Sequence, residues 1–257
     1  MKIFEKDKNI SKFKKLEKKI LILKTFFAIL FASLFIVLTK VKITPIIGTE
    51  SKFSASVMFG PVISKFIGIG FGSGSIIGAH IFGIIFGIYK IKSLLSFFTF
   101  APIIFAGIYF AKIFKSEKKI ILFPLISIIA FILHPIGREV WFYSLFWLIP
   151  ITISFGERII SNYVKNNLIK TYIYSLGTAF VDHSIGSILF LYFLNIPKEA
   201  WITAIPLTMI ERLIIAAGIT FSYFSILAAI KVLKEISAAI GISERILEKE
   251  NPIVEKG

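Results

Sequence analysis

Residues 171–194 read TYIYSLGTAFVDHSIGSILFLYFL, an apolar run interrupted near its middle by Asp182-His183. As a helix rising ~1.5 Å per residue, the run is long enough to cross the ~30 Å hydrocarbon core of a bilayer. An ionisable side chain at that depth is costly in lipid. It therefore marks a cavity or a polar partner, and with it a candidate functional site. Adjacent residues on a helix point about 100° apart, so one of the pair is free to face a cavity while the other meets a neighbouring helix.

Seven further apolar segments flank this one, at about 20–38, 54–71, 75–89, 94–111, 120–134, 140–154 and 206–230. Across the 257 residues, 56% are hydrophobic and Phe alone occurs 28 times. Mean hydropathy is +0.84. A water-soluble chain of this length does not bury that much apolar surface. The charged residues, 18% of the total, fall in clusters between the apolar runs. The expected fold class is all-α: a polytopic integral membrane helical bundle of six to eight transmembrane segments in a cell membrane. Its parts are a basic segment 1–19, a bundle 20–230 and a tail 231–257. In 1–19, Ile10, Phe13, Leu16 and Ile20 recur at helical spacing, as in a basic amphipathic helix on a membrane surface. No small-residue cleavage site follows the first apolar run, which argues against a signal peptide. The tail is expected to extend the last helix until Asn251-Pro252 ends it.

The net charge of +15, from 30 Lys and Arg against 15 Asp and Glu, fits cytoplasmic loops better than nucleic-acid binding, since no basic stripe is interleaved with exposed aromatics. If every segment crosses, one side receives the basic N-terminus, Lys112 to Lys119, Arg158 to Lys170 and the tail. The other receives only Lys40, Lys42, Lys52, Lys90, Lys92, Arg138, Lys198 and Arg212. The first side is then cytoplasmic, with both termini. A single crossing through 54–89 abolishes the asymmetry, so that stretch is expected to form two crossings or one re-entrant hairpin.

No Cys is present, which removes disulfides and thiolate chemistry. No Gly-x-x-x-x-Gly-Lys occurs, so any ATP-driven step needs another subunit, and no cofactor is expected. His80, His134, His183, Asp182 and Glu211 are metal-ligand types, but no His-x-x-His or His-x-x-x-His spacing pairs two on a helix face, and the metal question stays open. Gly72-Ser73-Gly74-Ser75 and Ala79-His80-Ile81-Phe82-Gly83 resemble rhomboid protease motifs, yet in that family the Ser and His lie on different helices, whereas Ser75 and His80 share one segment. His80-Ile-Phe-Gly and His183-Ser-Ile-Gly, each after a Gly and Ser or Thr stretch, hint at an internal repeat.

Ala28-Ile29-Leu30-Phe31-Ala32, with Phe59-Gly60-Pro61 and the glycines up to Gly87, resembles the substrate-binding (S) component of energy-coupling-factor uptake transporters over residues 20–112. The resemblance implies a small helical membrane protein that captures a vitamin-like solute or metal from outside. It also implies docking, through Ala28 and Ala32, onto a transmembrane coupling subunit driven by two ATPases. The family usually has six helices.

Read from the residues alone, His134, Arg138, Glu139, Trp141, Lys198, Glu199, Trp201, Glu211 and Arg212 concentrate toward the outer half. Lys198 and Trp201 also fit an ordinary interfacial belt. The expected site for a small-molecule substrate is a pocket floored by His80 and Asp182 or His183 and rimmed by Glu211 and Arg212. The expected function is solute uptake, not enzymatic. A stand-alone proton-coupled carrier, or an intramembrane enzyme using these His and carboxylate groups, are the alternatives.

Overall fold

A computed structural model describes residues 2–45, 52–91 and 93–239. Among them the helices are α1 (Lys2–Lys40), α2 (Ser56–Ile67), α3 (Ile69–Ile85), α4 (Leu94–Phe98), α5 (Ala101–Ile113) and α6 (Leu122–Leu133). The series continues with α7 (Pro135–Glu139), α8 (Leu148–Phe155), α9 (Glu157–Tyr163), α10 (Asn167–Phe193) and α11 (Lys198–Ala239). Two 3-10 stretches, Lys118–Ile121 and Trp141–Trp147, lead into α6 and α8. The all-α expectation holds with one addition, a small antiparallel hairpin of β1 (Lys42–Pro45) and β2 (Lys52–Ser54) paired Lys42 to Ser54 and Pro45 to Lys52. Two compact units result, residues 1–220 and 221–257. In the second, α11 continues as an apolar helix with Phe221, Val232 and Leu233 exposed. The expected helix end at Asn251-Pro252, with Ile240 and Ile246, lies outside the described residues, as does the side chain of Ile10.

Among the described residues, four helical stretches are long and apolar enough to cross a membrane: Phe13–Lys40, Leu94–Ile113, Asn167–Phe193 and Lys198–Ile236. A fifth is added if Trp141–Phe155 and Glu157–Tyr163, bent by 58°, form one span. Helices α2 and α3 are apolar but shorter. Many large apolar side chains face outward, among them Phe26, Ile29 and Val37 on α1 and Ile126 and Ile129 on α6. Only 11% of the apolar window of α1 is buried, against 50% for α10, so α10 is the central helix and α1 a peripheral one. From Lys2 onward the basic segment and the first apolar segment are one continuous helix.

Local chemistry sets the breaks. Asn166 caps α10, its Oδ1 accepting from the amides of Leu168 (2.8 Å) and Ile169 (3.2 Å). Helix α10 ends shortly before Pro197, which precedes α11. The 60–87 stretch is broken at Gly68, where φ is +89°, and not at 72–74, where the sequence places the gap between segments. That left-handed conformation is open to glycine at little cost. The chain then folds back. A Cβ on Gly72 would stand 2.6 Å from Ser64 Cα, so only glycine lets α3 approach α2 this closely. Gly60 does the same for α2 against Phe35 of α1 and Ile103 of α5.

Two ends of the first unit are defined by polar contacts. At one, the Lys65 ammonium lies 4.0 Å from the Phe114 ring centre, and Lys112 pairs with Glu117 at 2.6 Å. Lys118 Nζ donates to the Ser154 carbonyl at the same end, and the buried Glu157 accepts from Ser116 and, at 3.2 Å, from Tyr174. At the other end Tyr89, beyond α3, donates to Thr39 at the end of α1 (3.2 Å), and Lys198 pairs with Glu139 at 2.8 Å.

Candidate functional site

Helices α10 and α11 each carry an ionisable residue that the apolar pattern makes conspicuous, and the fold turns the two toward each other. Arg212 Nη1 donates to Asp182 Oδ2 at 3.3 Å, while Arg212 Nη2 lies 3.7 Å from Glu211 Oε2. Arg212 is 1% exposed, Asp182 5% and Glu211 7%, so all three are withdrawn from the surface. The guanidinium also lies 4.8 Å from the centre of the Phe53 ring on β2, which covers it from the hairpin side. The sequence reading sets Glu211 and Arg212 at a rim. The structure sets them inside, with Asp182, because the face of α11 that carries Arg212 also carries Thr208, Ala216 and Ile219 into the protein.

Among the described residues, four polar atoms of this cluster find no hydrogen-bond partner: Asp182 Oδ1, Glu211 Oε1, Arg212 Nε and Arg212 Nη2. Buried polar atoms are almost always paired, because leaving one unmade costs roughly 1–3 kcal/mol and more for a charged group. Two bare acceptors and two bare donors are thus gathered at one buried guanidinium.

His183 points a different way from Asp182, as the helix geometry requires. Its Nδ1 accepts from Trp147 Nε1 at 3.1 Å, and its Nε2 lies 3.0 Å from Tyr143 Oη and 3.4 Å from Ser187 Oγ. Tyr143 Oη is also 3.0 Å from Thr208 Oγ1, which precedes Arg212 by one turn of α11. A continuous hydrogen-bonded row thus runs from Trp147 through His183 and Tyr143 to Thr208 beside the ionic cluster. Tyr143, Trp147 and Thr208 escape the sequence reading. The run WFYSLFW at 141–147 offers no periodicity that singles out two of its rings.

His80 is not brought to this group. It stacks on Tyr89 (5.3 Å between centroids) and meets Phe97 and Phe100, and among the described residues its Nε2 finds no hydrogen-bond partner. The surroundings of His80 and His183 therefore differ despite the shared local sequence. Ser75 donates to the Phe71 carbonyl at 2.8 Å, its own preceding turn, and makes no bond to His80. His134 packs against the Tyr192 ring. Trp201, a candidate for an interfacial belt, is buried against Phe131 and Tyr143. Among the described residues no three His, Asp or Glu side chains gather as a metal site.

Ala28 and Ala32 line a second feature, a groove of about 570 Å³ between α1 and α3. Gly70, Gly74 and Gly78 line its opposite wall, and a Cβ added to any of them would meet nothing within 4 Å. Its surface is almost wholly apolar, with Phe71 and Ile29 at its sides.

Comparison with protein-family models, with curated proteins and with solved structures gives no match to this chain.

Proposed function

We propose that this chain is a multi-pass cell-membrane protein that captures a small solute, as the substrate-binding subunit of an uptake system energised by partner ATPases. The observation that carries the reading is the buried Asp182–Arg212–Glu211 cluster with its four unpaired polar atoms. An ion cluster inside a helix bundle is expensive and adds little stability over apolar packing. A ligand that completes its hydrogen bonds gives it a purpose.

The topology proposed is six to eight crossings with both termini in the cytoplasm. Two contacts support the even passage through 54–89. Lys65, at the end of α2, joins the Lys112–Lys119 end, while Tyr89, beyond α3, returns to the end of α1. Helices α2 and α3 span only about 18 and 26 Å at 1.5 Å per residue, so they suit a hairpin as well as two thin crossings. Lys65 itself joins the basic end, which deepens the charge asymmetry. For the partner, the support is the groove between α1 and α3, where small side chains on both walls leave room for the helix of a coupling subunit.

The test is isolation of the tagged protein in mild detergent, followed by ATP hydrolysis and subunit analysis. The reading expects a second membrane protein and ATPase chains to come with it. A protein that transports alone, driven by a proton gradient, supports the second reading, a stand-alone carrier, which the ionisable cluster also favours.

A further inference from the structure

The charges of the buried cluster do not cancel. Arg212 carries one positive charge, and Asp182 and Glu211 each carry a negative charge in the ionised state. Among the described residues no second cation pairs with either carboxylate. Lys198 is committed to Glu139 at 2.8 Å. Among the described residues, the other titratable groups that interact with the cluster are His183 and Tyr143.

His183 does not supply the missing charge. The indole N–H of Trp147 is a donor only, so the Nδ1 that receives it is bare. The imidazole is then the neutral Nε2–H form, which donates to Tyr143 Oη. The Tyr143 hydroxyl, accepting from His183, keeps its own hydrogen for a bond with Thr208 Oγ1, 3.0 Å away. A second proton on His183 would point at an N–H and break the row. Both unpaired acceptors of the cluster, Asp182 Oδ1 and Glu211 Oε1, lie on the carboxylates that outnumber the guanidinium. An uncompensated buried charge is far costlier than an unpaired neutral group.

Resting on the capture reading above, we infer that the solute carries a cationic N–H donor group, an ammonium or an amidinium, which binds between Asp182 Oδ1 and Glu211 Oε1. Such a group cancels the surplus charge and fills both bare acceptors at once. The remaining donors, Arg212 Nε and Nη2, then take a neutral acceptor elsewhere on the same solute. His183 is a positioning residue, fixing Tyr143 and Thr208 beside the cluster.

The test uses the full-length protein in lipid nanodiscs at neutral pH, with three probes of one shape: benzylammonium, benzyl alcohol and benzoate. Binding is read by tryptophan fluorescence, since Trp147 is tied to the site through His183. The proposal expects benzylammonium to bind at least tenfold more tightly than either of the others. It expects Glu211→Gln to erase that preference and Lys198→Gln to keep it. The comparison on the unaltered protein needs no variant. Equal or tighter binding of benzyl alcohol or benzoate overturns the inference, and so does absence of benzylammonium binding, as for a site whose surplus charge is met by a proton. Benzyl alcohol binding that is lost in Asp182→Asn overturns the cationic class alone and leaves the capture site standing.

Discussion

Arg212 Nη1 stands 3.3 Å from Asp182 Oδ2, joining α10 to α11 in the interior of the protein. Removing one member of a buried pair leaves the other charge uncompensated, at a cost of roughly 3–5 kcal/mol. Arg212→Met leaves two buried carboxylates without a cation and is expected to lower thermal stability and yield strongly, whereas Asp182→Asn is expected to cost far less, because Glu211 still balances Arg212 and the amide still accepts one bond. Lys198→Met, in an exposed pair with Glu139, is expected to leave stability unchanged. Thermal unfolding in detergent of the three variants checks the order.

The backbone at Gly68 makes a second prediction. Its φ of +89° is accessible to glycine and strained for other residues. Gly68→Ala is expected to cost about 1–3 kcal/mol. Gly72→Val should cost more, since a side chain there meets the Ser64 backbone. Gly74→Ala, where a Cβ meets open space, should be neutral or slightly stabilising. Denaturation midpoints of the three variants provide the measurement.

The long helices and the ionisable residues were legible in the sequence, and the pairings were not. The apolar runs around Asp182 and Arg212 give α10 and α11 because hydrocarbon demands closed backbone hydrogen bonds over a fixed length. Nothing in either run says that Arg212 turns toward Asp182 and away from the surface, because that depends on how two helices far apart in sequence rotate against each other. Trp201 fails for the same reason: tryptophan suits a membrane interface and a packed core equally, and contact with Phe131 decides the matter. The several glycines of 60–87 announce a break, but only the backbone angle at Gly68 shows where it lies.

Topology is checked without disturbing any native thiol, because the chain has no Cys. Lys115 is exposed at the end that gathers Lys65, Lys112 and Lys118. A Lys115→Cys variant is expected to resist an impermeant maleimide on intact cells and to react once the membrane is opened. Labelling on intact cells would place that end outside.

The groove walls give a fourth prediction. Ala28→Trp with Ala32→Trp would fill the space between α1 and α3. Loss of the coupling partner and of uptake, with solute binding kept, is expected. A folded double variant with full uptake removes the docking role, and a misfolded one identifies the groove as internal packing.

The central claim, that Asp182, Glu211 and Arg212 hold a solute, is tested most directly by native mass spectrometry of the protein released from its own membranes. The account predicts an added small-molecule mass on the unaltered chain that is lost from Asp182→Asn and from Glu211→Gln but retained by Lys198→Gln. An added mass that persists in both Asp182→Asn and Glu211→Gln, or spectra of bare chain in every case, would contradict it.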